Sequence, residues 1–104
     1  MVYLPKLGAL VHSLAGRDAG DYYLVVGSIE PNFVLVANGL KRPLKSPKKK
    51  NLRHLQVQRY SPSDLELKIH RRKARDEEIA RAIREMVGLD HPGGEREGNE
   101  PNVN

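Results

Sequence analysis

The chain has neither cysteine nor tryptophan among its 104 residues and holds a single phenylalanine. Without cysteine, no disulfide framework or thiolate metal site can staple so short a chain, and the usual mark of an oxidising compartment is missing. Long apolar runs are lacking too. Met1 to Leu14 is interrupted by Pro5, Lys6, Gly8 and His12, so neither a signal peptide nor a membrane span is legible there, and a cytoplasmic setting is expected. Signs of catalysis are equally scarce. The four histidines, His12, His54, His70 and His91, have no metal-ligand spacing, and no glycine-rich loop ends in Lys-Ser/Thr before a helix. Asp18, Asp21 and Glu30 read as isolated turn and rim acids with no apolar pocket to tune them. The expectation is a binding protein, not an enzyme, that uses no cofactor and no metal.

What the chain does have is positive charge, unevenly placed. The net formal charge is +5, yet residues 1–60 carry ten Lys/Arg against three acids, +7, while residues 61–104 carry eight against ten, −2. A concentrated cationic field on a small domain attracts polyanions through counterion release. Nucleic acid is the first partner to consider and an anionic membrane surface the second.

Along the chain, residues 8–13 read as a short extended run, and AGRDAG (15–20) as a loop whose two glycines permit positive φ. Residues 21–29 are too densely apolar for simple alternation and predict a buried strand, followed by a Glu30-Pro31-Asn32 turn and a β-branched run over 33–37. LKRPLKSPKKKN (40–51), with six basic residues and two prolines, predicts an exposed basic loop. Leu52, Leu55 and Val57 then suit one or two closing strands with a corner at Arg53-His54. Short strands joined by brief turns argue for a small barrel, which removes exposed edges.

After Ser61-Pro62 the pattern changes. Ser63 and Glu66 fit a capping box and a helix over 64–70, while the alternation of Leu65, Leu67 and Ile69 fits a strand equally well. Residues 76–87 predict an amphipathic helix, with Asp76 as cap, Ile79, Ile83, Met86 and Val87 on one face, and Gly88 as the terminating glycine. The polar DHPGGEREGNEPNVN that follows predicts a disordered tail. The expected fold is therefore mainly β with C-terminal α. Residues 1–60 would form an RNA-binding barrel, 61–88 a helical extension, and 89–104 the tail.

These residues carry a resemblance. GALVHSLAGRDAGDYYLVVG (8–27) looks like a KOW motif, with Gly20 in the place of its characteristic glycine. NFVLV (32–36), the basic loop and KNLRHL (50–55) make the chain similar to the eukaryotic and archaeal large-subunit ribosomal protein family eL-fourteen and its short bacterial relatives. The resemblance spans residues 8–57 and implies an SH3-like barrel, RNA binding and association with the ribosome, with rRNA of the large subunit as the partner. It stops short of the long C-terminal region of the eukaryotic members.

Independently of the name, Arg17 on the first loop and Lys41, Arg42, Lys45, Lys48, Lys49 and Lys50 on the second form a candidate cationic clamp for phosphate oxygens. Glycines 16 and 20 would let backbone N–H groups approach a phosphate. Arg53 joins Arg17 as a candidate for bidentate or stacked contacts, and His54 reads equally as an RNA contact or a strand-corner cap. Tyr22, Tyr23 and Phe33 fit the core better than base stacking, in a chain with so few aromatics. The basic run His70 to Arg75 is followed at once by Asp76, Glu77 and Glu78, and reads either as self-compensated or as a second RNA contact. Charge reversal of Lys48, Lys49 and Lys50 is expected to abolish ribosome co-sedimentation with the fold intact. The free protein is expected to be a monomer. The alternative is a protein-interaction module, or a ribosome assembly or quality-control factor that contacts a translation or transcription partner.

Overall fold

The computed structural model describes residues 4–90 of the 104. Five antiparallel strands form one sheet: β1 (Ala9–Ser13), β2 (Tyr22–Ile29), β3 (Phe33–Ala37), β4 (Lys48–Asn51) and β5 (Leu55–Tyr60), in the spatial order β4-β3-β2-β1-β5. The edge strands β4 and β5 are consecutive in the chain, separated only by a 3₁₀ turn at Leu52–His54. The sheet must therefore curl until its two edges meet at that corner, which gives the barrel-like form. Two helices follow, α1 (Ser63–His70) and α2 (Asp76–Asp90). Mainly β with C-terminal α describes the molecule.

Strand alternation assigns the two faces. Ala9, Val11, Tyr23, Val25, Val34 and Val36 share the concave core, and Leu10 and Leu24 point the other way, into a second core with Leu65, Ile69, Ile79, Ala82 and Met86. β2 is thus covered on both sides, which is why its sequence is apolar without alternation. The helices supply the outer cover by their own periods: Leu65 and Ile69 at i, i+4 in α1, and Ile79, Ala82, Ile83 and Met86 in α2. Each large buried aliphatic contributes about 1.5–3 kcal/mol of hydrophobic free energy.

Several expectations need correction. Lys48 to Asn51 is not loop but a strand, held by pairing with β3 (Val36 to Lys48, Val34 to Lys50). The ambiguous 64–70 segment is helical, because the helical pair Leu65 and Ile69 is buried while Leu67 is 45% exposed. No capping box forms there: Pro62 is the N-cap without a side-chain bond, and Glu66 instead lies 3.6 Å from the Lys6 ammonium. Asp76 caps nothing in its own helix; its carboxylate accepts the Leu44 backbone N–H at 2.8 Å, tying the 40s loop to α2. The reach-back to the start of α2 comes from Glu78, which accepts the Arg75 N–H at 2.9 Å. Gly88 does not end α2, which continues through Leu89 to Asp90. The rest of the expected tail lies outside the described residues.

Two close approaches pin the connections. Gly39 has φ +79°, and a Cβ there would sit 2.2 Å from the Asp76 carbonyl oxygen, so only glycine lets the loop after β3 touch α2. At the end of α1, Arg72 donates its N–H to Ile69 O and Lys73 to Lys68 O, which is the Schellman pattern, with Arg72 in the left-handed position at φ 59°. Glycine usually fills that position, and a residue with a Cβ there costs about 1 kcal/mol.

Candidate nucleic-acid interface

The loop between β1 and β2 and the loop between β3 and β4 leave the same end of the sheet, because the strands are antiparallel neighbours in register. At that end the inward-facing positions of three strands turn polar: Ser13 on β1, Tyr23 on β2, Lys48 and Lys50 on β4. All of them converge on Asp18 from the first loop. The Lys50 ammonium lies 2.9 Å from Asp18 Oδ1 and Lys48 3.1 Å from Oδ2. Tyr23 donates its hydroxyl to Oδ2 at 2.7 Å and Ser13 to Oδ1 at 2.9 Å. Lys50 also donates to Ser13 Oγ at 3.1 Å and to the Ala15 carbonyl at 3.3 Å.

This cluster plugs the mouth of the barrel. Asp18 is only 9% exposed and Lys50 7%, so both charges are desolvated and each is affordable only because of the other. Burial alone would raise the Asp18 pKa, but hydrogen bonds from Tyr23, Lys50, Lys48 and Ser13 outweigh it and hold the carboxyl well below the usual carboxylate range. Burial pushes the Tyr23 phenol up, and the adjacent Asp18 carboxylate reinforces the shift.

The plug divides the predicted cations. Lys50, expected on an exposed loop, is withdrawn from the surface and paired, and Lys48 is partly so. Arg17 is exposed beside Asp18. Arg42 faces the same end, near enough to Tyr23 to oppose the rise of its pKa. Asn38 folds the loop carrying Lys41 and Arg42, its Oδ1 accepting the Leu40 and Arg42 N–H groups at 2.9 and 3.0 Å. Arg53 and His54 are exposed on the 3₁₀ turn, whose His54 carbonyl accepts the Leu14 N–H at 2.8 Å, so this corner abuts the first loop. Lys49 points outward from the edge strand, 4.5 Å above the Phe33 ring. Lys45 stands apart, at a cleft between the sheet and the α1–α2 turn.

The loop glycines behave differently from expectation. Gly16 and Gly20 both have positive φ, but the Gly20 N–H is taken by the Ser13 carbonyl at 2.8 Å and is not on offer to a phosphate. Of the aromatics, Tyr23 is buried and engaged with Asp18, and Tyr22 stacks on His12 at 4.6 Å. Asp18, read from the sequence as an isolated turn and rim acid, is instead the buried centre of this cluster. Its signal was a Lys-x-Lys at strand period across from a loop acid.

No family model matches the chain. Among curated proteins, it is 38% identical over 85 residues to the large ribosomal subunit protein eL14 of Desulfurococcus amylolyticus, covering 77% of each chain. It is 32% identical over 89 residues to the eL14 of Pyrobaculum aerophilum, covering 86% of this chain and 80% of that one. This chain belongs to the eL14 family. The eL14 of Pyrobaculum arsenaticum agrees, at 32% identity over 94 residues. For an eL14-family chain the described residues carry no three metal-capable side chains in one cluster, and no described helix is long and apolar enough to cross a membrane.

Proposed function

We propose that the protein is a ribosomal protein that binds rRNA of the large subunit through the cationic rim of its barrel, working in the cytoplasm as a binder rather than a catalyst. One observation carries the reading. Asp18, buried at the barrel mouth, is paired inside the fold with Lys48 and Lys50 and so does not engage the exposed cations around it, while Asp21 is an exposed acid at the same end. Among the described residues, Arg17, Lys41, Arg42, Lys49 and Arg53 have no carboxylate within salt-bridge distance. Kinship with proteins named as large ribosomal subunit components supports the same partner, and does not favour a protein-interaction module or a transient assembly factor.

In this reading, the barrel of residues 1–60 makes the RNA contacts and the helices of 61–88 brace it. Arg17 and Arg53 give planar, bidentate phosphate contacts; Lys41 and Lys49 add point charge and Arg42 a further guanidinium; His54 lies at the corner between them. Lys48 reaches the rim with what Asp18 leaves it. Lys50, Gly16 and Gly20 act indirectly, by setting the loop that presents Arg17. Such contacts recognise the shape of a folded RNA rather than its bases.

The test is equilibrium binding to large-subunit rRNA across a salt series. Affinity is expected to fall steeply with salt. Arg17→Gln and Arg53→Gln are each expected to reduce the log-log slope by about one, as the loss of one phosphate contact should. A salt-independent affinity, or variants with an unchanged slope, would overturn the proposal.

A further inference from the structure

A second cationic feature lies away from the barrel mouth. Between the outer face of the sheet and the α1–α2 turn is a cleft of about 520 Å³, within the size range of sites that hold small organic ligands. Its floor is β2 and β3 at Gly27 and Leu35, and its walls are the 40s loop with Lys45 and the helical turn with Arg72. The floor lies where β2 slips register between Val25 and Gly27, and Gly27 leaves no side chain over Leu35. No acid lines the cleft, and among the described residues neither Lys45 nor Arg72 has an ion-pair partner. The larger hollow beside α1, by contrast, is lined by Glu30, Asp64 and Glu66.

Arg72 is the unusual element. It occupies the left-handed position of a Schellman motif, where glycine would be easier, so the backbone does not explain an arginine there. Arg72 and Lys45 both line the cleft, whose floor is apolar at Leu35. That combination suits a flat heterocycle with an attached phosphate. The base would enter against Leu35 and stack under the guanidinium plane, and the phosphate would meet Lys45.

We propose that this cleft receives a single unstacked nucleotide of the bound RNA, a contact that rests on the RNA-binding reading and adds to the rim a site for one splayed base. The apolar floor and the two cationic residues of its lining are its recognition elements. The basic run after α1 then contributes through Arg72 rather than as a diffuse charge.

Two paired measurements test it on the full chain. In an amide NMR titration with AMP, saturable shifts are expected at Gly27, Leu35, Lys45 and Ala74, and inorganic phosphate alone should not reproduce them. Binding is then compared for an RNA hairpin with one bulged nucleotide and the same hairpin without it. The bulge is expected to tighten binding about fivefold or more, the lower end of what one stacked base contributes. Arg72→Gly and Lys45→Gln should each remove that preference. Arg72→Gly is expected to unfold at a higher denaturant concentration than the parent, so loss of preference in it is not a folding defect. Equal affinity for the two hairpins, AMP shifts confined to the barrel mouth, or a bulge preference that survives Arg72→Gly each overturn the cleft while leaving rim binding standing. Failure of both hairpins to bind overturns the RNA reading and the cleft with it.

Discussion

The two faces of the sheet are closed by opposite chemistry. On the convex side, Leu10 and Leu24 meet Ile79, Met86 and the α1 residues Leu65 and Ile69, an apolar seam with no charge in it. On the concave side, a valine-rich interior ends in a carboxylate held by two ammoniums, a phenol and a hydroxyl. Contacts in the apolar seam are individually replaceable, because hydrophobic burial is non-directional and neighbours can relax. The plug is not, since removing one partner strands a buried charge.

The largest effect is expected where that asymmetry is broken. Asp18→Asn leaves the Lys50 ammonium desolvated with no counter-charge, and is expected to cost about 3–5 kcal/mol in urea unfolding. Lys50→Glu, which places a second carboxylate against Asp18, should be at least as damaging. Reversing Lys48, Lys49 and Lys50 together is therefore a folding lesion first, contrary to the expectation that it would spare the fold. Ile79→Ala, in the apolar seam, is expected to cost about 3 kcal/mol by cavity formation, and Ile79→Leu under about 1.5 kcal/mol. If no conservative change at Asp18 proves tolerable while Ile79→Leu is, the contrast stands.

Acid sharpens the comparison. Because the folded protein holds the Asp18 pKa below its usual value near 3.8, folding favours the ionised form. That contribution is complete above the usual carboxylate range and is lost as pH falls below it toward the depressed folded value. Unfolding monitored from pH 6 to pH 2 should show the parent losing stability at the acid end, with a shallower loss in Asp18→Asn. Equal slopes would mean that the plug does not respond to pH.

How much of this was legible follows from which signals are local. The two-sided burial of β2, the α2 period and the corner at Arg53-His54 are written in neighbouring residues, and the structure has each of them. β4 was not legible, because Lys-Lys-Lys-Asn has no strand preference of its own and is a strand only by pairing with β3. The candidate site inherited that error. Lys48, Lys49 and Lys50 read as equivalent in a loop, but strand alternation turns the first and third inward to Asp18 and leaves Lys49 outward. The helical end of 64–70 was hidden for another reason: Leu67 breaks the helical pattern and completes a strand-like one, and only its exposure decides.

That alternation predicts a smaller, separable effect. Lys49→Glu, outward beside Phe33, is expected to change stability by no more than about 0.5 kcal/mol, while weakening rRNA binding by up to roughly tenfold at low salt. Its neighbour Lys50 should show the reverse order, with stability lost before any specific effect on binding. Unfolding curves and salt-dependent affinities for the two single variants separate them. Similar behaviour in both would deny that β4 has an inner and an outer face.

The smallest expected effect lies at the far end of the apolar seam. Gly88 reads in sequence as a helix terminator, yet α2 runs through it to Asp90, and a Cβ there would meet nothing within 4 Å. A terminator needs positive φ and resents a side chain; a glycine inside a helix only adds backbone entropy to the unfolded chain. Gly88→Ala is therefore expected to stabilise the protein by about 0.5–1 kcal/mol, with the gain reduced by nearness to the helix end. The seam accepts the change because it loses no partner. Gly20→Ala, also in open space but with φ +96° in the loop that carries Asp18, should instead cost about 1 kcal/mol. Measured side by side in one denaturant series, opposite signs at two equally uncrowded glycines would show that backbone conformation, and not room, separates the helical seam from the mouth.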